Sequence, residues 1–118
     1  MIDMTGKIRR ALLSACPRVY FYYPNQFIAL PAVSFYDTVN TSEDQTDEWT
    51  KLAWQVDVWA KTVADCKATA AAADTAMRGL GFRRAFSASV PDPNGYRHQS
   101  MRYEGYYNAL DSKIYSRS

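Results

Sequence analysis

The stretch "KLAWQVDVWAKTVADCKATAAAADTAMRGLGF", Lys51 to Phe82, decides the fold. Its first part alternates. Leu52, Trp54, Val56 and Val58 fall on one side, and Gln55, Asp57 and Trp59 on the other. A period of two is that of a half-buried strand. At Thr62 the period changes. Thr62 is placed to accept from an early helix amide, and Asp65 stands three residues on, near the positive end of a helix. Val63, Cys66, Ala70, Ala73, Met77 and Leu80 then trace one helical face. Gly79 and Gly81 supply the stop. The alanines make a slim helix that can lie close to a sheet. The feature to explain is Trp59, a large aromatic on the side expected to face water.

Upstream, Asp3 to Ala15 reads as a helix. Ile8, Leu12 and Leu13 lie at helical spacing, with Met4 one turn earlier and Pro17 as a limit. Val19 to Tyr23 is β-prone and ends at the turn signal Pro24–Asn25. "PAVSFYDTVN" reads as a strand. Val33, Phe35 and Val39 share a face with Asp37, and Ser34, Tyr36 and Thr38 take the other. A flexible acidic loop is expected at 38–49. Its polar centre, Thr41 to Glu48, has no apolar anchor.

Downstream, Phe82 to Val90 reads as a strand, and "PDPNG" as a compact turn with Asn94–Gly95 suited to positive φ. Tyr96 to Leu110 alternates again. Met101, Tyr103, Tyr107 and Ala109 form one side, and Arg102, Glu104, Tyr106 and Asn108 the other. The tail, 111–118, is polar and expected to fray.

The whole is an α+β plan in one domain, 1–118. It consists of a mostly antiparallel four- to five-stranded sheet with an N-terminal helix and one long crossover helix packed on one face. A chain of 118 residues suits one domain and buries roughly two-thirds of its unfolded surface without a staple.

Composition narrows the function. Net charge is +2, too small to argue for nucleic acid on charge alone. Cys16 and Cys66 read as buried free thiols in a reducing compartment. No apolar run approaches the ~18 residues of a membrane span. The N-terminus, with Asp3 early and Arg9–Arg10 late, does not read as a signal peptide. Synthesis and folding in a cytoplasm are expected.

Catalytic patterns are missing from the sequence. His98 is the only histidine, follows a turn, and is expected to be a solvated loop residue. CxxC and HExxH patterns are absent, and Gly79 and Gly81 close a helix where a phosphate cradle would open one. Asp37, Asp57 and Glu104 are strand carboxylates that read as ion-pair partners of arginines on a sheet face rather than as an acid–base pair. No cofactor and no metal are expected.

The aromatic side is more informative. With helices on the Trp54 side, the opposite face carries Tyr36, Gln55, Asp57, Trp59, Arg83, Arg102, Glu104 and Tyr106. Aromatics among arginines and carboxylates suit a binding surface. Two functions fit: assembly of identical subunits, or a sheet platform for single-stranded nucleic acid. Glu104 in the middle of "MRYEGYY" and the low charge favour assembly.

The order of "LPAVSFYD", a polar loop, "WQVDVWAKTVADC", "GLGF" and a closing "MRYEGYY" resembles the tail completion (tail terminator, or tail-to-head joining) proteins of long-tailed bacteriophages. The resemblance implies a non-enzymatic virion protein of the neck region, assembled in the host cytoplasm. Such proteins form rings, commonly hexamers, that cap the head-proximal end of the tail and stop tube polymerisation. Its implied partners are its own copies, the tail-tube protein and the head–tail connector, with DNA only passing through. In some members an acidic or polar loop faces the lumen or a neighbour. Thr41 to Glu48, with Glu43, Asp44, Asp47 and Glu48, is the positional counterpart. The resemblance is one of fold pattern and carries no functional residue across.

Overall fold

The computed structural model describes residues 2–22, 29–42 and 48–116. In chain order the elements are α1 (Thr5–Leu12), β1 (Val19–Phe21), β2 (Ala32–Ser42), β3 (Trp49–Ala60), α2 (Val63–Gly79), β4 (Arg83–Val90), β5 (Arg97–Asn108) and β6 (Lys113–Tyr115). The strands form one sheet in the order β1-β2-β3-β5-β4, with β6 also paired to β5. All pairings are antiparallel except β1 with β2. The α+β plan is as expected. Among the described residues the sheet has six strands rather than four or five, because two three-residue strands join it, β1 beside β2 and β6 beside β5.

The alternating stretch is the centre of the molecule. Leu52, Val56 and Val58 are fully buried and Trp54 is 1% exposed. They form one core with Ile8 and Leu12 of α1 and with Cys66, Ala73 and Met77 of α2. At roughly 25 cal/mol per Å² of apolar surface, this face supplies the main drive to fold. The helix begins where its cap directs: the Thr62 hydroxyl accepts from the Asp65 amide at 3.1 Å. Tyr103 and Asp74 latch helix to sheet, the phenol donating to the carboxylate at 2.6 Å.

The turn after α2 depends on Gly81, at φ +107°. A Cβ there would collide with the Ile114 carbonyl oxygen of β6. In the β4–β5 turn it is Gly95 that takes positive φ, at 81°, and the Asp92 side chain accepts from the Asn94 amide at 2.7 Å.

Several local expectations are corrected. The loop expected over 38–49 starts later, since β2 runs through Ser42 and pairs with β3 as far as Thr50. Glu43, Asp44 and Asp47 lie outside the described residues. The backbone oxygen of Glu48 accepts from Ala109 at 2.8 Å. The tail expected to fray at 111–118 contains β6, whose Ile114 is 9% exposed. Leu13 is 42% exposed because α1 ends before it, and Val63, the first residue of α2, is 54% exposed. A bulge between Asp37 and Val39 moves Val39 opposite Ala53 and puts Asn40 opposite Leu52, so Val39 leaves the face of Phe35.

Candidate assembly surface

The register places the candidate residues on one face. Tyr36, Gln55 and Arg102 lie in one row across β2, β3 and β5, and Asp57 and Trp59 follow along β3. Arg83 stands opposite Glu104, and Tyr106 opposite Lys51 on the same side. Alternation therefore gathered these residues correctly, although they come from four strands. What differs is how much of each is bare.

Trp59 is 6% exposed and Asp57 1%. The position expected to face water is buried within its own chain. His98 accounts for part of this. It lies directly opposite Trp59 in β5, and the two rings stack with centroids 4.4 Å apart and planes at 17°. Its Nε2 is 2.7 Å from Asp57 Oδ1. His98, expected as a solvated loop residue, is a strand residue and its side chain is 15% exposed. It is the second residue of β5, and pairing with Trp59 aims the imidazole inward. Gln55 completes the group, donating to Ser100 Oγ at 2.5 Å and to Asp57 Oδ1 at 3.4 Å. A buried carboxylate needs such donors, because desolvation penalises its charge.

A histidine–carboxylate pair is also part of a hydrolytic triad. Among the described residues no hydroxyl bonds to this imidazole, and no group of three or more His, Cys, Asp or Glu is placed to hold a metal. The pair ties β5 to β3. A recess of about 420 Å³ opens at this end of the sheet beside Lys67, Tyr96 and Arg97. The amide of Gln99 on its wall is already bonded to Lys67, Ser89 and Ser87.

The other half of the face is wetter. Glu104 receives Arg83 at 3.0 Å and Arg102 at 3.4 Å, with the side chains 26%, 45% and 35% exposed respectively. Tyr36, Gln55 and Tyr106 are partly exposed. Phe86, which the sequence reading missed, joins this half opposite Arg102 and is 52% exposed. Simple alternation from Arg84 would turn Phe86 toward the helices. A bulge between Arg84 and Phe86 reverses it. No sequence signal marks that bulge.

Two titrating groups behind the face are shifted from their ordinary values. Burial first, then the bond to Asp74, raises the Tyr103 phenol far above its ordinary value. Burial pushes Asp74 up, but hydrogen bonds from Tyr103 and Arg78 and the charges of Arg78 and Arg84 outweigh it, leaving the carboxyl below its ordinary value.

No family model matches the chain, and no curated protein matches it. A solved structure does. The chain is similar to one from the virion of a native gene transfer agent particle, with a TM-score of 0.66 and 18% sequence identity. The alignment covers 94% of this chain and 91% of that one. At this identity the likeness is one of fold, and it spans nearly the whole of both chains.

Proposed function

We propose that this chain is a structural virion protein of the tail terminator kind. It forms a ring on the head-proximal end of a tail tube, stops tube polymerisation and joins the tail to the head connector. The observation that carries this reading is the near-complete fold match to a chain of a gene transfer agent virion. The resemblance in strand order and the exposed arginine–aromatic half of the sheet face support it. On this reading the protein needs no cofactor and catalyses no reaction. Its partners are its own copies, the tail-tube protein and the connector, and DNA meets it only in passing through the ring. The candidate interface centres on Arg83, Arg102, Glu104 and Tyr106, while Asp57 and Trp59 support it from beneath. The acidic segment with Glu43, Asp44, Asp47 and Glu48 is the candidate lumen or partner loop.

Light scattering with and without purified tail tubes tests this. A defined oligomer, or one that forms on the tube end, is expected, and electron microscopy should show capped tubes of fixed length. A strict monomer at every concentration, with tubes present, defeats the reading. The nucleic-acid alternative is weakened because Tyr103 is fully buried and both arginines of the platform are engaged by Glu104. It predicts salt-sensitive binding of single strands.

A further inference from the structure

The two edges of the sheet are complementary. Among the described residues β1 forms one edge and β4 the other. One parallel pairing followed by three antiparallel ones makes β4 run opposite to β1. A second copy set beside the first in the same orientation therefore brings β4 antiparallel against β1, the more stable way for two edges to join.

The rows of the sheet fix what would meet. Phe86 lies in the row of Arg102, Gln55 and Tyr36. Tyr22, the residue after β1, stacks on Tyr36 with centroids 5.5 Å apart and planes at 10°. The next row along holds Arg84 on the β4 edge and Asp37 on β2, one strand in from the other edge and past the end of β1. With no shift along the strands, Phe86 meets Tyr22, and Arg84 comes level with Asp37, where its long side chain can reach past the end of β1. Phe86 is 52% exposed and Tyr22 51%, two half-bare rings at the same level. Arg84 has its head group 3.5 Å from Asp74 and is 40% exposed, an ion pair loose enough to share. From Phe86 to Val90 the edge carries no charge and no proline, which are devices that discourage strand pairing.

We infer that copies of this chain associate head to tail through the β4 and β1 edges, continuing the sheet from subunit to subunit, with Phe86 on Tyr22 and Arg84 facing Asp37. The occupant of each edge is a second copy. The inference rests on the ring reading for its setting and adds to its candidate face a subunit contact at the sheet edges. Such a contact is heterologous, so it generates a ring when its rotation closes.

The test exchanges charges across the contact. Arg84→Glu and Asp37→Arg are made singly and together in the full chain, and association is followed by sedimentation with and without tail tubes. Each single variant should weaken association by about tenfold or more. The double variant, and an equimolar mixture of the two singles, should restore it, since every interface then joins opposite charges. Melting curves establish that each variant folds. In parallel, Tyr22→Cys combined with Phe86→Cys should give a ladder of disulfide-linked oligomers, and neither change alone should. The native thiols, Cys16 and Cys66, are buried and free. Cross-linking by Phe86→Cys alone would show β4 pairing with β4 and overturn the inference. An oligomer indifferent to the charge exchange and without a ladder overturns it too, and leaves the ring reading standing. No association under any condition overturns both.

Discussion

His98 Nε2 lies 2.7 Å from Asp57 Oδ1, joining β5 to β3 across 41 residues of sequence. The contact gives a carboxylate that is 1% exposed a hydrogen-bonding partner, and the same imidazole covers part of Trp59. His98→Ala should therefore cost about 1–3 kcal/mol, the penalty of a buried polar group left short of a partner. Urea denaturation measures it. Adding Asp57→Ala should recover part of the loss, and strict additivity of the two changes would show that the pair is not coupled.

Trp59 and Phe86 should part company on substitution. Trp59→Ala removes a buried indole and should cost roughly 3–5 kcal/mol. Phe86→Ser alters a ring that is 52% exposed and should leave stability within about 0.5 kcal/mol. Thermal melts of the two variants compare them directly. Equal losses would mean that Phe86 is held by its own chain.

The Tyr103–Asp74 latch should show in the pH profile of stability. The folded-state value of Tyr103 is raised, so its contribution is complete below the ordinary tyrosine value of 10.0 and declines as pH rises beyond it. Asp74 is lowered, so its contribution is present above the ordinary carboxyl value of 3.8 and is lost as pH falls through the folded value. Tyr103→Phe should lower stability at neutral pH by about 1.5–3 kcal/mol, the range for a hydrogen bond to a charged group. It should also flatten the alkaline limb. An unchanged alkaline limb would place that transition on another group.

Gly81→Ala should destabilise by roughly 1–3 kcal/mol or more, because it combines a backbone at φ +107° with a Cβ driven into the Ile114 carbonyl. Hydrogen exchange should report the loss first at β6, the strand it displaces. Gly79→Ala provides the contrast: a Cβ there meets nothing within 4 Å, and the change should be neutral or mildly stabilising.

Local chemistry made the framework readable. The alternation of Leu52 to Val58, the Thr62 cap, the alanine face and the closing glycines each specify backbone geometry over a few residues, and they agree with one another. The shared face of Tyr36, Gln55, Arg102, Glu104 and Tyr106 was legible for the same reason, since each strand's alternation holds over its own length. Legibility failed where a single residue breaks the period. The bulges beside Val39 and Phe86 are set by hydrogen bonding to a neighbouring strand, and each flips a side chain to the opposite face.

The sequence by itself determined the order of the elements as far as β5, the helix that follows the central strand, and the side of the sheet that forms the core. Tertiary structure decided which residues of the other side remain bare. Trp59 and Asp57 have the pattern of exposed positions, yet His98, 41 residues on from Asp57, stacks on one and hydrogen-bonds the other. Exposure depends on what remote segments deliver to the same spot, and alternation records only the direction in which a side chain leaves its own strand.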